Sequence, residues 1–218
     1  MSLLRAVAEH FVAPADEAAR PAPRAPVAAV SGVPPAVGLL CEPRHARAAG
    51  RAVGLHLAKR RKAQAALVAV WTVDGGAATM SGATPLGGEA RRLVRALAGR
   101  DIAAHASGRV VTAALPHDAD AAAQVAAQGF AVAASLPTVL VIAGPREQPL
   151  DELLCTRDLV LVVDGGDDLL ADTALAALHR RGVAARRCAL PASAVASRGG
   201  SLLPSARRGL DTAMEGLA

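Results

Sequence analysis

Short apolar runs alternate with stretches of helical period along most of the chain. Ala36 to Cys41 (AVGLLC) is a continuous apolar run, and Ala46 to Arg61 repeats apolar residues at Ala49, Val53 and Leu57 before a basic end. The pair reads as a first strand and a first helix. Ala65 to Val73 (AALVAVWTV) is a second run, stopped by the turn signal Asp74-Gly75-Gly76 and a Gly/Thr/Ser loop. The pattern then predicts a helix over Glu89 to Gly99, a strand over Arg109 to Leu115, an alanine-rich helix over Asp118 to Gln128 and a strand over Thr138 to Ala143 (TVLVIA). Leu159 to Asp164 (LVLVVD) is the plainest strand. The helix after it, Asp168 to Arg181, has acids near its start and His179-Arg180-Arg181 at its end, as the helix dipole favours. A strand over Ala184 to Leu190 and a helix over Ala206 to Leu217 complete the series.

Strands that are apolar at every position need cover on both faces, and helices between successive strands supply it. The expected class is α/β, a mostly parallel sheet with helices on both faces in a three-layer sandwich. Val139, Val141, Leu159, Leu161 and Val163 are expected on adjacent central strands, almost fully buried.

Upstream of this alternation the character changes. In residues 1–12, Leu3, Leu4, Val7, Phe11 and Val12 fall at spacings of three and four, the pattern of a short amphipathic helix. Such a helix packs on its own domain or anchors the chain to a partner or a membrane surface. Residues 13–35 are rich in proline, alanine and arginine and read as an extended linker. The folded domain is expected over 36–218.

Composition narrows the classes. Of 218 residues, 52% are hydrophobic and 20% charged, which argues against wholesale disorder. No apolar run reaches the roughly 18 residues of a membrane span, and no secretory signal precedes Val12, so the expectation is a cytoplasmic protein. The net charge is +5, almost all from arginine, since Lys59 and Lys62 are the only lysines. Arginine spread through the whole chain says less about partners than a clustered stripe would. Aromatic residues make up 1%, namely Phe11, Trp71 and Phe130, which removes the usual stacking platform for single-stranded nucleic acid. Cys41, Cys155 and Cys188 show no C-x-x-C spacing, so they read as reduced, mostly buried thiols and not as a disulfide framework or a zinc site.

Ligands of such sheets sit beyond the carboxyl ends of the strands. After the first strand, Arg44, Arg47 and Arg51 near a helix start are candidates to hold an anion through guanidinium groups and the helix dipole. The glycines, lysine and Ser/Thr of a phosphate-cradling loop are missing there. Asp74 after the second strand is a candidate for magnesium or a ribose. Asp164-Gly165-Gly166-Asp167-Asp168 reads either as a cation site or as a turn leading into a helix. His117-Asp118 is the one pairing suited to acid/base work, and no H-E-x-x-H or G-x-S-x-G signature occurs.

The order of elements resembles the MinD/ParA family of P-loop ATPases, and within it the CpaE/TadZ-like and septum-site-determining-like proteins. Four segments carry the likeness: Ala36 to Lys59, Arg109 to Pro116 (RVVTAALP), Pro137 to Gly165, and Ser201 to Gly209 (SLLPSARRG). The resemblance implies a P-loop NTPase-like fold and a positioning or assembly role in pilus, secretion or septum machinery. In the gapless match the family's signature lysine falls on Cys41, its Walker lysine on Ala46, its magnesium hydroxyl on Arg47 and its strand-tip aspartate on Ala143. Gly144-Pro145 keep the motif's shape, and Asp74 remains as a switch-region acid. The expectation is a pseudo-ATPase with no catalytic residues, no resident cofactor or metal, and at most weak ATP binding. Expected partners are proteins of those assemblies, in a homo- or heterodimer. Two other readings stay open in the sequence: a small-molecule enzyme or sensor using the same crevice, and non-specific DNA binding through the arginines.

Overall fold

A computed structural model of the protein describes residues 35–73, 87–164, 168–191, 194–195 and 201–215. The expected helix over 1–12, the linker up to Pro35, Asp74 with its glycine turn and loop, and Gly165 to Asp167 lie outside the described residues.

The elements run β1 (Ala36–Leu40), a 3-10 turn (Pro43–His45), α1 (Ala46–Arg60), β2 (Ala66–Thr72), α2 (Gly88–Ala98), β3 (Ala104–Ser107) and β4 (Val110–Ala114). They continue with α3 (Ala119–Val132), β5 (Thr138–Ala143), α4 (Gln148–Cys155), β6 (Leu159–Val163), α5 (Asp168–Arg180), β7 (Ala185–Cys188) and α6 (Pro204–Ala213). The sheet has seven strands in the order β3-β4-β2-β5-β1-β6-β7. Every neighbouring pair is parallel except the β3/β4 hairpin. The class is the α/β architecture that the apolar runs predict.

The structure departs from the expected series at four points. The strands carrying Val139 and Leu159 are not adjacent, because β1 lies between them, pairing Val37 with Val139 on one side and with Leu159 on the other. The hairpin strand β3 was not expected, its sequence Ala-His-Ala-Ser having no β-branched or large apolar residue. Helix α4 was not expected either; Pro149 occupies its first turn, where its missing N–H costs nothing. The terminal helix likewise opens on Pro204 and closes at Ala213, shorter than the predicted span to Leu217.

Side chains alternate between two apolar layers with the period of two that strands impose. Val37, Leu39, Val68, Val70, Val139, Val141, Leu159, Leu161 and Val163 pack under α1 and α6. Leu40, Ala69, Trp71, Leu140, Ile142, Val160 and Val162 face α3, α4 and α5. Helix α2 covers the β4 edge through Ala90, Leu93 and Leu97 against Val111 and Ala113. The five central residues named from sequence are at most 6% exposed.

Helix α1 sits unusually close to the sheet. A β-carbon at Gly50 would stand 2.8 Å from Val141 Cγ2 and 2.9 Å from Val68 Cγ1, and one at Gly54 2.7 Å from Val68 Cγ2. Two glycines one turn apart thus seat the helix on the branched side chains of β2 and β5, which fixes where its first turn stands over the strand tips.

Candidate functional site at the strand tips

The chain leaves β1 toward β2 and leaves its neighbour β6 toward β7, so the connections part above the tips of these two strands. The start of α1 stands beside that crevice. Arg44 lies in the 3-10 turn, exposed, with its Nε 2.5 Å from Glu42 Oε2. Arg47 is exposed on the first turn of α1, and Arg51 is half-buried four residues later on the same side. The structure therefore brings the three expected arginines to one helix start. Asp74, the fourth candidate, lies outside the described residues.

The backbone here is largely committed to internal bonds. Cys41 N–H donates to the Ile142 carbonyl at 3.3 Å and His45 N–H to the Glu42 carbonyl at 2.9 Å. Ala46 N–H closes on the Pro43 carbonyl, and Pro43 has no N–H to give. Helix α1 has no acid in its first turn and no side-chain cap. Cations at the positive end of a helix dipole are unfavourable and are relieved when an anion binds between them. Cys41 itself is a neutral thiol, pushed up to about 12 by burial and then by the Glu42 carboxylate.

The other strand tips carry less chemistry. Ala143 ends β5 fully buried, and at Gly144 (φ 156°) a β-carbon would collide with Val73. His117 is exposed, and its main-chain carbonyl accepts the Trp71 indole at 3.1 Å. Asp118 does not orient that histidine: its carboxylate caps α3, accepting from Ala121 N–H at 2.8 Å. Asp164 is half-buried, with its N–H on the Cys188 carbonyl at 3.1 Å. Among the described residues no group of three His, Cys, Asp or Glu side chains is placed to hold a metal ion.

Sequence reasoning missed one charged cluster. Arg146, just beyond the β5 tip, donates through Nε to Asp151 Oδ1 at 2.5 Å, and Arg181 binds the other oxygen. Burial lowers the pKa of both guanidinium groups from their usual value. Arg146 and Asp151 each expose only 13% of their side chains. The only available signal was the Arg146…Asp151 spacing across a helix start, and nothing in the sequence ties either to Arg181. The cysteines are free; Cys188 is buried, whereas Cys41 and Cys155 are half-buried.

Comparison with family models, with curated proteins and with solved structures finds no match to this chain.

Proposed function

We propose that this protein is a non-hydrolysing counterpart of the MinD/ParA-like ATPases it resembles, a pseudo-ATPase whose α/β domain serves as a positioning or assembly scaffold. The assemblies it would serve are pilus, secretion or septum machinery, as a homo- or heterodimer. One observation carries the reading: in the connection from β1 to α1, the Cys41, His45 and Ala46 amides are bonded internally and Pro43 has none. A phosphate cradle needs several adjacent amides turned outward to the anion. Ala46, Arg47 and Ala143 stand where the matched family carries its lysine, hydroxyl and aspartate, so the magnesium ligand and the strand-tip carboxylate that phosphoryl transfer uses have no source among them. The test is phosphate release from ATP and magnesium by the purified protein. No turnover above the buffer rate is expected, with Ala46→Lys/Arg47→Thr as a partial-restoration control. Magnesium-dependent turnover abolished by Asp74→Asn would overturn the reading. Co-purification of pilus, secretion or division proteins with the tagged chain tests the scaffold role.

A second reading rests on the uncapped start of α1 with Arg44, Arg47 and Arg51 around it: an enzyme or sensor for a small anion in the same crevice. Calorimetric titration with ATP and with inorganic phosphate separates the two, because saturable binding lost in Arg47→Gln favours the sensor.

A further inference from the structure

We propose that the free edge of β3 pairs with the same strand of a second copy of this chain, joining the two sheets across a two-fold axis. β3 ends the strand order on one side, and among the described residues no backbone group is bonded to its outer edge. The hairpin fixes which groups face outward. Ser107 and Val110 flank the two-residue turn Gly108-Arg109 and form its closing, hydrogen-bonded pair. Bonds to β4 therefore fall at Ser107 and His105, while the N–H and C=O groups of Ala104 and Ala106 point away from the sheet. An edge of this kind is a template for another strand.

The two edges of the sheet are not alike. β7 carries Arg186, which donates to the Ala213 and Glu215 carbonyls, and Arg187, 3.2 Å from Asp172. Charged side chains on an edge strand discourage pairing with another chain. β3 has no lysine, arginine, acid or proline, and its register with β4 runs without a bulge. Its protection is its length of four residues, which also keeps the association weak.

Two features select a second copy over an unrelated strand. In an antiparallel pair centred on His105, Ala104 of each copy stands opposite Ala106 of the other, so every outward N–H and C=O of both strands finds a partner. A register shifted by two residues leaves half of them unmatched. The same register, continued outward, sets Asp101 opposite Arg109 of the second copy, once at each end of the pair. Both side chains are exposed, and neither has an ion-pair partner among the described residues. Arg100 is exposed beside Asp101, and α2, which covers this edge, exposes Arg91, Arg92 and Arg95, so the attraction rests on the aspartate. The surface would serve the homodimer of the scaffold reading but does not depend on that reading or on nucleotide, since β4, β2 and β5 separate β3 from β1 and its crevice.

Sedimentation equilibrium of the full chain over a range of concentrations tests the proposal, with circular dichroism to confirm that each variant folds. A reversible dimer is expected. Asp101→Lys turns attraction into repulsion at both ends and should weaken the dimer roughly 30-fold, the equivalent of ~2 kcal/mol. Adding Arg109→Asp should restore it. Ala106→Pro removes an outward N–H and no bond to β4, and should abolish the dimer. Asp120→Lys, the same charge change at an exposed position of α3, should leave it intact. A monomer at every concentration overturns the proposal, and so does a dimer that either Asp101→Lys or Ala106→Pro leaves unchanged, because its contact then lies elsewhere. If Ala106→Pro fails to fold, the charge swap alone decides.

Discussion

The indole of Trp71, at the end of β2, donates to the main-chain carbonyl of His117 at 3.1 Å and so ties the β2 tip to the loop that enters α3. The ring is 1% exposed, and its one polar atom is satisfied by a residue 46 positions away. Trp71→Phe keeps most of the packing and loses the bond, so it should cost about 1 kcal/mol; Trp71→Ala should cost about 3–5 kcal/mol. Urea unfolding followed by circular dichroism measures both.

Close seating of α1 predicts unequal responses from Gly50 and from Gly88, which opens α2. Gly50→Ala forces a methyl against the branched ends of Val141 and Val68, and the overpacking outweighs the gain in helix propensity, for a net loss on the order of 1 kcal/mol. At Gly88 nothing lies within 4 Å of the added carbon, so Gly88→Ala should stay within about 0.5 kcal/mol of wild type.

His56 supplies a pH dependence. It is 5% exposed on α1, and Nε2 lies 3.6 Å from Asp211 Oδ1 on α6, short of a hydrogen bond. Burial lowers its pKa below the ordinary 6.5; Asp211 opposes that shift, while Arg60, Arg207 and Lys59 add to it. The unfolded chain therefore takes up this proton before the folded one does. The associated stability is complete above pH 6.5 and is lost as pH falls from there toward the lower folded value. His56→Gln should flatten the slope of melting temperature against pH in that window, and an unchanged slope would refute the assignment.

Asp151 holds two arginines, and its neighbours are not equivalent. Asp151→Asn leaves two guanidinium groups facing each other and should cost about 3 kcal/mol. Arg181 exposes 43% of its side chain, so Arg181→Gln, with Arg146 still in place, should cost no more than about 1 kcal/mol. Chemical denaturation of the two variants provides the comparison.

Thiol chemistry gives a further check. Cys41 and Cys188 are raised from 9.0 to about 12, chiefly by burial. Three pH units of lost thiolate slow alkylation near neutral pH by roughly a thousandfold relative to the unfolded chain. Mass spectrometry after iodoacetamide treatment, with and without denaturant, reads this directly.

How much of this could be read from the chain depends on where the information lies. The runs around Val139 and Leu161 are apolar at every position, and burial on both faces leaves that mark in one dimension. Ala104 to Ser107 becomes a strand only because Gly108 (φ 63°) turns it back against Val110 to Ala114, so tertiary pairing and not propensity forms it. That β1 separates β5 from β6 depends on crossover order, which no local window contains. At the crevice, the absence of a glycine loop at Pro43 was evident from residue types. Internal bonding of the Cys41, His45 and Ala46 amides required coordinates, as did the meeting of Arg146 with Arg181 across two helices.

Placing β1 inside the sheet, between β5 and β6, has a consequence for biosynthesis. Ala36 is among the first residues of the domain to leave the ribosome, yet its partner Thr138 and the carboxylate of Asp158, 122 positions on, emerge long afterwards. Until then the pairings available to the nascent chain are those of β4 with β2 and β3, and the apolar run from Val37 to Leu40 has α1 to cover one face but no strand beside it. An interior strand is thus translated early and paired late, a delay in which chaperone capture and aggregation compete with folding.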